Sequence, residues 1–584
     1  MNMKLAGGIL AVGLAALASY ADGDEPEVPA RYTATVVPGG TKSYTNAEHW
    51  RPSGVPNGYH VDVVIDGDAT QATTVSFSGM GLNHTNGVLT VEAEDKLVIS
   101  ASSNSGGTSL NLYTTCVTNA GEISFGGAKK NGQNYYLHAE QQPFFNARTG
   151  LIGAYATGSY DKYQHRMYMR LDDSVNEGRI EVVAAGGTQK YASVGLQGGG
   201  TLKNNGTILV KTTGEFKSDR PGDAVLGLYG GSVLLTGSGS VKLDESANVE
   251  GSTVVPKLKL SSITDNLVND THHSIIGEGR IENCRFVNFG LIKAEGSVNR
   301  LSVQMPDHRT QTTDCATNAV SGRIVAASPH GIYFAGVSKN EGSHPNWNTH
   351  FVNLGLMEAR TGSVIAFADG INSTSGKTGD SDLSPTSGDY LKLWGRIAGG
   401  GRFQTIRPIH IMDGARLMPG DLANDDGTGD STCGTLTFAT NLVLEAGAAL
   451  EEGEGVSSGA ITEFQCVKTE AGRFDAVWVE GDLTVAGTLR FTAKPHSGTY
   501  RIFGATGALA CDLETLAVEC APGVRAPHLK LVEGTYSVEQ PKLDGETGEP
   551  LVDDETGEPL METVQLPCRY LEATWANGLS VSIR

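Results

Sequence analysis

Hydrophobic and polar residues alternate in period two along most of the chain, in runs of five or six residues. His60–Ile65 (HVDVVI), Gly87–Glu92 (GVLTVE), Gly206–Lys211 (GTILVK) and Ser232–Thr236 (SVLLT) are representative, each bounded by Gly, Asn, Asp or Ser. Alternation of this kind marks strands with one buried face, and the bounding residues mark turns. Beyond the first twenty residues no amphipathic helical pattern of 12 or more residues stands out. The pattern predicts an all-β chain.

A pentad, Asn-x-Gly-x-aliphatic, recurs through the middle of the chain. It begins at Asn119 with Gly121, Asn176 with Gly178, Asn204 with Gly206, Asn288 with Gly290, and Asn353 with Gly355. Asn and Gly tolerate positive φ at a tight corner, and the aliphatic residue two places on would face inward at the start of the next strand. Stacked copies would let the Asn side chains bond along the stack. The copies are spaced by 57, 28, 84 and 65 residues. The first three are near multiples of ~28, inside the repeat range of solenoids, and the last is not. The pattern therefore predicts a solenoid with coils of irregular length. Hairpin turns in several β-sandwiches are the alternative.

Residues 417–491 contain Leu417-Met-Pro-Gly420, an acidic insertion, Gly434–Phe438 (GTLTF), Leu442–Glu451 (LVLEAGAALE), Asp475–Gly481 (DAVWVEG) and Leu483–Phe491 (LTVAGTLRF). This stretch resembles the end of the passenger domains of autotransporter-like bacterial surface proteins, which implies the last part of a right-handed parallel β-helix. Near the start, Trp50, Gly54, Val55 and Pro56, followed by a strand to Ile65, are similar to the opening of many exported β-helix proteins. By that resemblance Trp50 caps the first coil and covers its apolar edge. After Phe491 no series of ten-residue alternating strands follows, so the expectation is a passenger-like domain without the membrane barrel.

Together these features predict a right-handed parallel β-helix (solenoid) over 33–495 and a C-terminal β-rich cap over 496–584. Roughly 15 to 20 coils would span on the order of 80 Å. Residues 1–21 (Lys4, an apolar core from Leu5 to Leu17, and Ser19-Tyr20-Ala21) read as a secretory signal cleaved after Ala21, with a linker over 22–32. Export to the cell surface or medium is the expected localisation. No later segment reaches ~18 consecutive apolar residues, so no membrane-spanning helix is expected in the mature chain. Glu546–Leu551 (ETGEPL) recurs at Glu555–Leu560, within an acidic insertion over 544–563 that reads as a solvated loop.

Composition narrows the partners. The 584 residues include 76 glycines, about twice the usual share, and carry a net charge of −21. Such a surface repels polyphosphate, so nucleic acid is not an expected partner. Eight cysteines permit disulfides in an exported chain; Cys511 and Cys520 are near enough in sequence to close one small loop. No paired Cys-x-x-Cys spacing points to zinc.

Residues Tyr135, Tyr136, Phe144, Phe145, Tyr155, Tyr160, Tyr163 and Tyr168 place eight aromatics within 34 residues, with Arg148, Arg166 and Arg170 interleaved. Proportion alone would predict about two. Aromatic platforms beside polar groups stack sugars or anchor partners, so Tyr155, Tyr160, Tyr163, Tyr168, Arg166 and Trp347 are the candidate ligand-binding residues. Filling of the solenoid interior is the competing role.

Asp172, Asp173, Asp380, Asp382, Asp425 and Asp426 could supply the paired carboxylates of a glycosidase. None of the Asn-Thr-Asp, Gly-His-Gly or Arg-Ile-Lys partners of polygalacturonase-type enzymes accompanies them, so no catalytic residues are assigned. Residues 421–430 (DLANDDGTGD) fail the EF-hand register at Leu422 and Cys433. No cofactor is expected, with calcium at this loop as the lesser alternative. His272-His273 beside Asp270, and His344 with His350, read as surface histidines rather than metal ligands. The expected role is an exported structural or adhesive protein that binds glycan or a surface partner through its lateral face. A polysaccharide-degrading lyase or hydrolase and a passive assembly scaffold are the alternatives.

Overall fold

The computed structural model describes residues 30–67, 71–78, 83–100, 109–125, 134–156, 163–185, 190–213, 223–245, 255–260, 265–282, 285–306, 316–337, 349–367, 371–372, 390–425, 432–448, 457–465, 474–493, 496–542 and 560–575. The leader 1–21, most of the 22–32 linker, Tyr160, His344, Trp347, Asp380, Asp382, Asp426 and nearly all of the 544–563 insertion lie outside them. The side chains of Tyr163 and His350 do too.

The short alternating runs form strands, and the strands stack in parallel as a β-helix. One face is a single sheet of 17 strands, from Gly40–Ser43 to Ala517–Cys520, each paired in parallel with the strand one coil away. Numbering coils by these strands gives 17, which at ~4.8 Å per coil extends on the order of 80 Å. Coils 1–6 span 32–43, 61–77, 83–99, 109–125, 134–156 and 163–185. Coils 7–12 span 190–213, 223–245, 257–277, 279–294, 301–326 and 332–359. Coils 13–17 span 364–399, 402–419, 435–464, 476–491 and 498–520.

From coil 7 onward most coils contain three short strands, which build faces I, II and III in chain order. In coil 6 one long strand, Tyr163–Asn176, serves two faces. Its first part pairs with Lys190–Gln197 on face I, and its end pairs with Gly200–Asn204 on face II. Alternation sends one set of side chains inward. The core is a continuous column of Val, Ile, Leu and Phe, exemplified by the buried Phe403, Phe438, Phe464 and Phe491. Phe403 and Phe438 stack at 5.5 Å between adjacent coils, as do Phe464 and Phe491.

The corner between faces II and III carries a continuous side-chain ladder. Asn119 donates to Asn146 (2.8 Å), Asn146 to Asn176 (2.7 Å) and Asn176 to Asn204 (2.7 Å). Farther along, Asn269 donates to Asn288 (2.8 Å), Asn288 to Asn318 (2.9 Å) and Asn318 to Asn353 (2.8 Å). All eight amides are buried. Coil 8 turns on Thr236-Gly237 and supplies no Asn. His273 fills that vacancy: its Nε2 lies 3.0 Å from Asn204 Nδ2 and its Nδ1 2.7 Å from Asn269 Oδ1. The neutral ring thus accepts from one asparagine and donates to the other.

The ladder corrects the expected role of the corner glycines. Gly121, Gly178, Gly206, Gly290 and Gly355 are absent from the positive-φ positions. Close approach between coils is what demands glycine there. A methyl group on Gly206 would collide with the carbonyl of Gly178 in the coil beside it, and one on Gly121 with the carbonyls of Glu92 and Asp95.

Both ends of the helix are closed. At the N-terminal end Trp50–Arg51 pairs antiparallel with Thr35–Val36. The buried Trp50 donates its indole N–H to the Tyr44 carbonyl (2.8 Å) and meets the Tyr44 ring edge-on at 5.1 Å. At the other end a hairpin, His528–Pro541 with Met561–Trp575, adds antiparallel to the coil-17 strand Gly498–Ala505. Cys511 ends a face-II strand and Cys520 a face-III strand; both are free thiols, so the expected small loop is not closed. Among the described residues no helix is long and apolar enough to cross a membrane.

Candidate functional site

Face I presents its outward side chains in columns, because strands in register place equivalent residues one coil apart. In one column Tyr113, His138 and Tyr168 stack ring on ring, with centroids 4.6 and 5.3 Å apart. The next two positions of that column are Gly195 and Gly227. Gly195 leaves room for the rings of Tyr168 and Tyr229, since a Cβ there would stand 2.9 Å from each. The platform of tyrosine rings therefore rests directly on the sheet backbone.

Arg166 lies at the centre of this platform. Its strand neighbour is Tyr136. Its guanidinium donates to the Tyr168 hydroxyl at 3.1 Å and lies 4.8 Å from the centre of the Tyr191 ring. Its Nε–H is buried and, among the described residues, meets no hydrogen-bond acceptor and no carboxylate. Burial, then Tyr191 and Tyr168, push the Tyr229 hydroxyl up to about 12, so it remains a neutral donor at any physiological pH. The site is a half-buried cation among aromatic rings, suited to an oxygen-rich ligand that stacks.

The predicted residues divide between surfaces. Tyr168 and Arg166 lie together on face I, on the strand Tyr163–Asn176. Tyr155 does not join them: its strand Leu151–Ala156 belongs to face III, where its hydroxyl donates to Glu181. Tyr155 thus lies on a face-III strand and Tyr168 on a face-I strand, which parts the cluster in space. Tyr135 and Phe144 fill the core, so part of the aromatic excess is structural. Tyr113, Tyr136, His138, Tyr191 and Tyr229 join the site. Alternation along each strand marks them as outward, but only stacking in register brings them together.

The acids and histidines do not converge. Asp172 lies 3.6 Å from Arg170, and Asp173 occupies a left-handed bend (φ 59°) where the long strand turns from face I to face II. His273 is committed to the ladder, while His272 is exposed. The start of the acidic insertion folds as a strap over face III. Asp421 accepts from the backbone N–H of Thr361 (2.9 Å) and Gly400 (2.7 Å), and Asp425 pairs with Lys293 (2.8 Å) and Arg360 (2.5 Å). Beneath the strap the buried Glu358 accepts from the Leu422 N–H at 2.8 Å. Burial raises its carboxyl against the pull of Arg360. Among the described residues no three His, Cys, Asp or Glu side chains gather to hold a metal ion.

A groove of about 640 Å³ opens farther along face I, over coils 11–15. Arg300 and Tyr333 form one wall, with the guanidinium 3.9 Å from the ring centre. Ala366 lies in its lining, while Ile406, Pro408, Thr440 and Asn441 come from the later coils. Among the described residues no Asp or Glu lines it. The described lining offers aromatic, amide and cationic groups. No protein-family model matches the chain, and no characterised protein sequence matches it.

Proposed function

We propose that this chain is an exported, cell-surface or secreted structural and adhesive β-helix that binds glycan through face I. The observation that carries this reading is the Arg166 site: a half-buried guanidinium set among Tyr136, Tyr168 and Tyr191 on a lateral sheet. Sugar rings stack on tyrosine through their C–H faces while hydroxyls accept from the cation. The leader-like residues 1–21 and the passenger-like pattern over 417–491 support export to the surface.

A glycan array probed with the mature chain tests this reading. The expected result is binding to a defined group of glycans that Tyr168→Ala and Arg166→Ala each weaken about tenfold, with secondary structure unchanged. A uniformly negative array overturns glycan binding. Catalytic release of unsaturated or reducing-end products from a bound polysaccharide overturns the adhesive reading in favour of an enzyme.

A further inference from the structure

We propose that the groove over coils 11–15 is a second binding site on face I, and that it takes an N-acylated sugar acid, a sugar with one carboxylate and one acyl group. This inference rests on the reading of face I as a glycan-binding surface and adds a separate site with its own ligand class. Tyr168 belongs to coil 6 and Tyr333 to coil 12, so the two sites lie six coils apart, ~29 Å along the axis. The groove's volume of about 640 Å³ falls within the ~300–1,000 Å³ of small-ligand sites. It suits one or two sugar rings rather than a long stretch of polymer.

Register hollows the groove. The outward column running through it reads Tyr333, Ala366, Gln404 and Ala439 on successive coils. Alanines on either side of Gln404 keep the floor low, so the walls come from the turns at both edges of the sheet. At one edge Arg300 precedes the face-I strand Leu301–Pro306. At the other, Ile406 and Pro408 follow the strand Arg402–Gln404, and Asn441 follows Thr435–Ala439.

Each wall has its own chemistry. The Arg300 guanidinium lies 3.9 Å from the centre of the Tyr333 ring. Stacking engages the flat face of the cation and leaves its N–H donors at the rim, a planar fork that matches the two oxygens of a carboxylate. Among the described residues the lining holds no lysine and no second arginine, so the groove meets one anionic group and not a row of them. Ile406 is 71% exposed and lines the groove with Pro408; an acyl methyl removes such apolar surface from water. The Asp482 N–H donates to Asn441 Oδ1 at 2.8 Å and orients that amide, whose Nδ2 supplies donors for an acyl carbonyl or a hydroxyl. The guanidinium stands over Tyr333 of coil 12 and Ile406 follows the coil-14 strand. Two coils are ~10 Å of axis, the reach of one or two sugar rings.

Calorimetry on the mature full-length chain tests the proposal with N-acetylneuraminate and N-acetylmuramate, each compared with its methyl ester. N-acetylglucosamine (acyl without carboxylate), glucuronate (carboxylate without acyl), acetate and inorganic sulfate complete the probes. The expected result is that at least one N-acylated acid binds about tenfold or more tightly than its ester and than every other probe. Arg300→Gln and Ile406→Ser should each weaken that binding about tenfold, while Tyr168→Ala leaves it unchanged. Arg300→Lys, which keeps the charge and loses the fork, reports the same loss if Arg300→Gln fails to fold. Equal binding of acid and ester, or of glucuronate and the N-acylated acids, overturns the ligand class. Acetate or sulfate binding as tightly overturns it in favour of a general anion site. Loss of acid binding in Tyr168→Ala but not in Arg300→Gln overturns the groove site and leaves glycan binding at the Arg166 platform standing. Binding to none of these probes, beside a glycan array that is positive through Tyr168, does the same. Binding to none, together with a uniformly negative array, overturns both.

Discussion

His273 shows how much a single buried ring can control. It bridges Asn204 and Asn269 across the one coil of the ladder that lacks an asparagine. Truncation to Ala would strand a buried N–H and a buried carbonyl oxygen, each costing about 1–3 kcal/mol. The expected outcome of His273→Ala is a lower urea midpoint at pH 8. Burial lowers its pKa to about 4, against a weaker opposing pull from Asp270, and burial lowers that of His165 to about 4 as well. Both rings stay neutral in the folded state while the unfolded chain takes up protons below about 6.5. Their stabilisation is present above that pH and lost as pH falls towards 4. Asp475 acts in the opposite sense. Burial raises it to about 7 against the N–H groups of Gln465 and Gly434, so its contribution is lost as pH rises from 3.8 through 7. Urea unfolding from pH 4 to 8 should show Asp475→Asn rising in stability relative to the parent as pH increases. A flat difference between the two profiles would contradict the assignment.

At the scale of the coil, sequence spacing and structure meet in the ladder. Consecutive ladder asparagines are separated by 27, 30, 28, 19, 30 and 35 residues where they bond directly. The 65-residue interval that fits no multiple of ~28 is therefore two coils meeting at Asn318. That residue, like Asn146, precedes its glycine by four positions instead of two, and a search for Asn-x-x-x-Gly would have found both. His273 carries no such signal, because its place depends on a missing asparagine in a different coil. Glycine at these corners answers to the coil beside it. Gly206→Ala should cost roughly 1–3 kcal/mol through overpacking against Gly178. Gly414→Ala, with open space but φ of +78°, isolates backbone strain at a corner outside the ladder. Thermal melts of the two variants separate the causes: a larger loss for Gly414→Ala would mean that strain outweighs the steric collision.

For the whole molecule, a parallel stack must end somewhere, and each end exposes unpaired backbone that invites another strand. The C-terminal hairpin covers the face-I edge of coil 17 and buries Leu571, Ala573 and Trp575 against the core. Removal of residues 526–584 should uncover that edge and produce concentration-dependent association, read by sedimentation velocity. A monomer with unchanged stability would show that the hairpin protects nothing. The face-I platform belongs to this scale too, because no single coil contains it: Tyr113, His138, Tyr168, Tyr191 and Tyr229 come from coils 4–8.

Period-two alternation, glycine-rich corners and the recurring Asn-x-Gly were enough to determine an all-β stack of coils, because inward alternation and backbone crowding are local demands on residue type. They also marked Asn119, Asn176, Asn204, Asn288 and Asn353 as corner residues and Arg166 and Tyr168 as outward candidates. Register was decided only by the tertiary structure. Which coil lies beside which depends on loop lengths that the local pattern leaves free, so the sequence could neither part Tyr155 from Tyr168 nor bring Tyr191 and Tyr229 to Arg166. The same register brings Arg300, Ile406 and Asn441 from separate coils to one groove, a property of the stack that no stretch of sequence contains.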